Sequence, residues 1–158
     1  MATPTNLPAA VATGDVGTAA QFNNLRGAFR ILQVVQGTYS TNVINATNVY
    51  ADTGLTATIT PQSSSSKILV LVHQASCGKV AGNAQSHFYM QLVRGSTAVS
   101  TFEGSAAYTN SSADNYIGTI STAYLDSPAT TSATTYKTQF RNNVNAASVA
   151  VQVNGVTS

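Results

Sequence analysis

The spacing of apolar residues changes period near Arg30. Before it, Phe22, Leu25, Phe29 and Leu32 recur at intervals of three, four and three within TAAQFNNLRGAFRIL, the spacing of one helix face about two heptads long. Asp15 or Thr18 can cap such a helix by accepting from the free amides of its first turn. A helix this short is marginal alone in water, and Gly27 weakens it further. Its seam therefore needs packing, either on the chain's own domain or on copies of itself in an oligomer. Residues 1 to 14, with Pro4, Pro8 and Gly14 among small side chains, read as an extended arm. Residues 1–30 are thus expected to serve attachment or assembly, with Phe22, Leu25, Phe29 and Leu32 as the assembly residues.

From Arg30 onward the period is two. ILQVVQGTYST alternates at its start, with Gly37 marking a bulge. NATNVYADTG, LTATITP, SKILVLVHQAS, SHFYMQLVRGS, TAVSTFEG, NYIGTISTAYLDS, TTYKTQFRNN and ASVAVQVNG follow, parted by Gly, Asn, Asp, Ser and Pro. About eight or nine short strands with this punctuation predict an all-β domain over residues 31–158, a β-sandwich of the jelly-roll type. KILVLV, residues 67–72, is apolar at every position but the first and reads as a central strand buried on both faces. Gly95, after Leu92, Val93 and Arg94, suits the positive φ of a tight hairpin. In YLDSPATTSATTYKTQFRN, Asp126 and Pro128 start a turn. The run is read as the loop of a hairpin-like connection within one domain, not as a tether.

Composition narrows the class. Hydrophobic residues make up 43% of the 158 and charged residues 8%, with a formal net charge of +2. That apolar content fits a folded core, and no apolar run approaches the roughly 18 residues of a membrane span. With so few charges, the wet faces must be Ser, Thr, Asn and Gln, which suits strands better than Glu/Lys-laced helices. The basic residues form no block, so nucleic-acid binding finds no support. One cysteine rules out an intrachain disulfide framework. The start MATPTNLPAAV lacks the pattern of a secretory signal, and accumulation in the cytoplasm that makes the protein is expected.

Candidate chemistry is sparse. His73 and His87 would share a metal only if their strands were neighbours, and no carboxylate or thiol nearby in sequence completes a ligand set. Cys77, within ASCGK, lies in no catalytic signature and reads as a half-buried thiol. Asp15, Asp52, Glu103, Asp114 and Asp126 are isolated, whereas paired-carboxylate hydrolysis needs two facing each other. The residues call for no catalytic group, no metal and no cofactor. Tyr108 and Tyr116 flank the loop TNSSADN, where aromatic and amide groups can contact a receptor glycan by stacking and hydrogen bonding, although a solvated loop is the commoner explanation of such a stretch.

TGDVGTAAQFNNLR resembles the N-terminal phrase of small bacteriophage virion proteins, in which such a stretch precedes a helix. ADTGLTATITPQSSSSKILVLV, LVRGST and YLDSPATTSATTYKTQFRNN are similar to a recurring domain of tailed phages, including marine phages and cyanophages. The resemblance spans nearly the whole chain and carries no catalytic residue. It implies a homotrimeric, tumour necrosis factor-like jelly roll on a virion, and a non-enzymatic structural role. Two placements follow: a surface module of a tail fibre or baseplate-type appendage, or a capsid decoration (cement) protein. A carbohydrate-binding module for host adsorption is a further alternative. The implied partners are further copies of the chain, tail, baseplate or major capsid proteins, and a host surface glycan, with no nucleic acid and no membrane insertion. One more apolar strand is expected after VQVNGVTS, or an edge supplied by a neighbouring subunit.

Overall fold

A computed structural model describes residues 31–80, 82, 84–145 and 150–155. The described chain is all β: β1 (Val43–Asn45), β2 (Ala51–Ile59), β3 (Ile68–Lys79), β4 (Phe88–Arg94), β5 (Thr97–Ala106), β6 (Asn115–Asp126), β7 (Thr134–Asn142) and β8 (Val151–Val153). The strands pair first with last, all antiparallel: β1 with β8, β2 with β7, β3 with β6 and β4 with β5. Further pairings of β3 with β8 and β4 with β7 join them into two sheets, β1-β8-β3-β6 and β2-β7-β4-β5. A long hairpin has been rolled upon itself, and this is the jelly-roll sandwich that the strand spacing predicts.

Alternation sets which side chains face inward. In β7, Thr134, Tyr136, Thr138, Phe140 and Asn142 are buried while Thr135, Lys137, Gln139 and Arg141 point out. One core cluster takes Cys77, Ile120, Val151 and Val153 from one sheet and Phe88, Met90 and Phe140 from the other. Phe88 stacks on Phe140 with ring centroids 5.4 Å apart. A second cluster gathers Val72, Leu92 and Tyr136. Buried polar groups form a chain between the sheets: Thr53 Oγ1 meets Thr138 Oγ1, which donates to Gln74 Oε1 at 3.1 Å. Gln74 Nε2 in turn donates to Asn154 Oδ1 at 2.9 Å. Satisfied in this way, these groups avoid the penalty of dry polar atoms.

A charged clasp also joins the sheets. Asp126, the last residue of β6, accepts from Arg94 Nη1 of β4 at 2.8 and 2.9 Å and from the Tyr136 hydroxyl of β7. Burial would raise the Asp126 carboxyl, but the bonds from Tyr136 and Arg94 outweigh it and hold the group below the usual carboxylate range. The Tyr136 hydroxyl is pushed up, first by burial and then by the neighbouring carboxylate.

The hairpin turn at Gly95 is present, with φ 59° and Arg94 opposite Thr97. Four expectations are corrected. The segment ILQVVQGTYS forms no strand. Gly37 marks no bulge there; it passes so close to β2 that a Cβ would sit 1.9 Å from the Thr56 carbonyl oxygen. The bulge lies instead in β2 around Gly54, at φ 88°, so that ADTG and LTATI run on as one strand. KILVLV is not buried on both faces, because Leu69 and Leu71 point outward. The 127–133 connection is not a hairpin either: β6 and β7 lie in different sheets, so it crosses the sandwich. The predicted helix falls before residue 31, outside the described residues.

Because Asp126 is nearly dry and Arg94 keeps partial contact with water, Asp126→Ala is expected to cost about 3 kcal/mol in urea denaturation. The folded pKa is depressed, so this stabilisation is full above the unfolded value of about 3.9 and is lost as pH falls through the folded one. The acid limb of the stability curve should flatten in Asp126→Asn. An unchanged acid limb would show that ionisation of Asp126 contributes no stability to the fold.

Candidate binding surface

The histidines, the cysteine and the described carboxylates, which the sequence does not mark as catalytic, are dispersed in the fold. Cys77 is fully buried, correcting the half-buried reading, and its Sγ lies 3.2 Å from the Gln74 carbonyl oxygen. Burial pushes its thiol up to about 12. His73 is on β3 and His87 immediately precedes β4, in different sheets. Among the described residues, no group of three His, Cys, Asp or Glu could hold a metal. Asp126 is committed to the clasp, and Glu103 accepts from the amides of Gly104 and Ser105.

Outward alternation on the sheet β2-β7-β4-β5 builds two parallel rows. The first begins at Tyr50, just before β2, and runs through Arg141 of β7 to Tyr89 of β4. Arg141 lies directly opposite Tyr89. Its guanidinium carbon sits 3.8 Å from the Tyr89 ring centroid and 5.3 Å from that of Tyr50, a cation held against two π faces. Beyond Tyr89 the row continues to His87, centroids 5.2 Å apart, and from His87 to Tyr108 at 5.8 Å. His87 Nε2 is 3.2 Å from the Tyr89 hydroxyl.

The second row lies two residues along each strand and is polar. Gln91 Nε2 donates to Gln139 Oε1 at 2.9 Å, and Gln139 Nε2 donates to Asp52 Oδ1 at 2.7 Å. Lys137 Nζ closes on Asp52 Oδ2 at 2.9 Å. Partial burial would raise the Asp52 carboxyl, but the bonds from Lys137 and Gln139 outweigh it and lower it. The positive charge of Lys137 is neutralised here, whereas Arg141 has no carboxylate partner among the described residues.

Tyr108 and Tyr116 are separated in role. Tyr108, 52% exposed, ends the aromatic row through His87. Tyr116 is on β6 of the other sheet, its ring packed where a side chain at Gly78 would go. The loop between them is anchored from below by Lys79. That side chain is fully buried, and its Nζ donates to Thr109 Oγ1 and the Ser111 carbonyl, both at 2.5 Å. Tyr50, Tyr89 and Arg141 were not singled out from sequence. Alternation in SHFYMQLV and TTYKTQFRN does place Tyr89 and Arg141 on wet faces, but only the register of β4 on β7 puts them together.

The opposite outer face differs in kind. Leu69, Leu71 and Leu125, 61%, 72% and 62% exposed, stand on β3 and β6 with Leu69 directly across from Leu125. Ala123 lies across from Leu71, and Ile44 is exposed on β1 of the same sheet. β8 pairs with β3 only at Gly78 and Lys79, and the Asn154 and Gly155 amides reach Ala75 and Ser76. Among the described residues, Ile68–Gln74 is therefore paired on one side only. Of the predicted assembly residues, Leu32 is exposed and in no regular element; Phe22, Leu25 and Phe29 lie outside the described residues.

The fold and these faces define a β-sandwich with one aromatic–polar and one aliphatic outer surface. No family model matches the chain, and no curated protein matches it either.

A dry thiol held neutral cannot act as a nucleophile without an opening of the sandwich. Cys77 in the native protein is expected to resist a thiol-specific disulfide reagent and to react fully in denaturant. Stoichiometric labelling within seconds under native conditions would contradict the buried placement.

Proposed function

We propose that this protein is a non-enzymatic structural component of a tailed-phage virion, a homotrimeric surface module of a tail-fibre or baseplate-type appendage. The observation that carries the reading is the aliphatic outer face of β3 and β6. Monomeric proteins seldom leave such side chains contiguous and wet. Here three leucines on neighbouring strands stand beside a half-open strand edge, the arrangement that invites pairing with another chain.

A further copy of the chain is the occupant this reading assigns. Lys67 stands at the margin of this face, where its Nζ donates to Ser127 Oγ; the leucines themselves are aliphatic and complementary to their own kind. A scaffold of short polar residues, stabilised without disulfides, gains from association because anything that binds only the folded state stabilises it. The low charge and the Ser/Thr/Asn exterior suit a particle that persists outside a cell. The sequence resemblance to phage virion proteins points the same way.

Size-exclusion chromatography with light scattering tests the self-association. The full chain is expected to run as a trimer, and the double substitution Leu71→Lys with Leu125→Lys to yield a folded monomer. A wild-type monomer at micromolar concentration, or a double variant that stays trimeric, would overturn the assignment of this face.

A further inference from the structure

The outer face of β2-β7-β4-β5 has features that a purely structural sheet does not require. Cross-strand aromatic and amide pairs do stabilise sheets, which accounts for the contacts within each row. It does not account for a guanidinium that has been ordered between two tyrosines and left without a counter-charge among the described residues. Arg141 Nη1 donates to the Asn142 carbonyl oxygen at 3.2 Å. Its other N–H groups have no carboxylate among the described residues, while Lys137, two pleat repeats away on β7, is paired with Asp52.

We propose that this face binds an acidic saccharide, a short run of a carboxylated hexose polymer, with its carboxylate on Arg141. The planar fork of Arg141 matches a carboxylate with two parallel hydrogen bonds. Stacking on Tyr89 has already removed much of the side chain's freedom, so less is lost when the ligand binds. At the open end of the row Tyr108 offers a ring to the C–H face of a sugar. Alongside, Gln91, Gln139 and Asp52 form a fixed line of amide and carboxylate groups that matches hydroxyls, which both donate and accept. From Tyr108 through His87 and Tyr89 to Arg141, the contacts of 5.8, 5.2 and 3.8 Å run continuously. The span suits an oligosaccharide rather than one sugar.

Charge decides against the obvious competitor. Binding a nucleic-acid backbone requires several cations to neutralise successive phosphates, and among the described residues this face presents Arg141 as its one cation without a carboxylate partner. The proposal is independent of the trimer: a virion protein that binds no sugar would still assemble through its leucines, and loss of assembly would leave this face intact.

Isothermal titration of the full chain with hexagalacturonate, cellohexaose and polyglutamate tests it. Hexagalacturonate is expected to bind, cellohexaose to bind at least about tenfold more weakly for want of the charge-assisted bonds, and polyglutamate not to bind. Arg141→Lys, which keeps the charge but loses the fork, should weaken hexagalacturonate about tenfold, and Tyr108→Ala should weaken it without altering the melting temperature. Tyr116→Ala, on the other sheet, should leave it unchanged. Failure of the wild type to bind hexagalacturonate would overturn the proposal. So would equal binding of polyglutamate, which would mean simple charge attraction, or a loss confined to Tyr116→Ala, which would move the contact to the loop. Light scattering on the same samples reports the trimer separately.

Discussion

The two sheets are hydrogen-bonded within themselves and not strand to strand with each other, so the layer of inward side chains between them holds the molecule together. Phe88 and Phe140 from one sheet close on Cys77, Ile120, Val151 and Val153 from the other. Removing a ring from such a layer costs about 3–5 kcal/mol, a large part of the stability of any single domain. The Asp126 clasp and the Thr53–Thr138–Gln74–Asn154 chain add direction to this non-directional adhesion, since their bonds form in only one alignment of the sheets. Both outer faces inherit their geometry from that alignment.

This dependence explains how much could be read in advance. Alternation in TTYKTQFRN assigns each residue of β7 to a face without any knowledge of its neighbours, and the inward set is the buried one. Gly95 declares its turn because a two-residue hairpin needs positive φ. What alternation cannot report is which strand a strand pairs with. The 127–133 connection reads as a hairpin because strands flank it, yet first-with-last pairing sends those strands to different sheets. The meeting of Tyr89 with Arg141 was hidden for the same reason. Each residue is ordinary on its own strand, and the site exists only in the register.

Two errors have a more specific origin. ILQVVQ has the β-branched composition of a strand, but composition describes fitness for a pleated surface and supplies no partner to pair with. KILVLV reads as buried on both faces because an apolar run normally means a covered strand. Here Leu69 and Leu71 are apolar and wet. The departure from the rule is the ground on which the proposed self-association rests. The two outer faces differ in chemistry, aliphatic on β3 and β6 and aromatic–polar on β2-β7-β4-β5.

The central claim is that the chain is a virion structural component, and its copy number in purified particles tests this most directly. Quantitative mass spectrometry against the major capsid protein is expected to find it in a multiple of three per particle, at a few per cent of the capsid protein. A ratio near one or one third would move the same module to the capsid as a decoration protein. Its absence from particles that infected cells release, while abundant in those cells, would contradict the account.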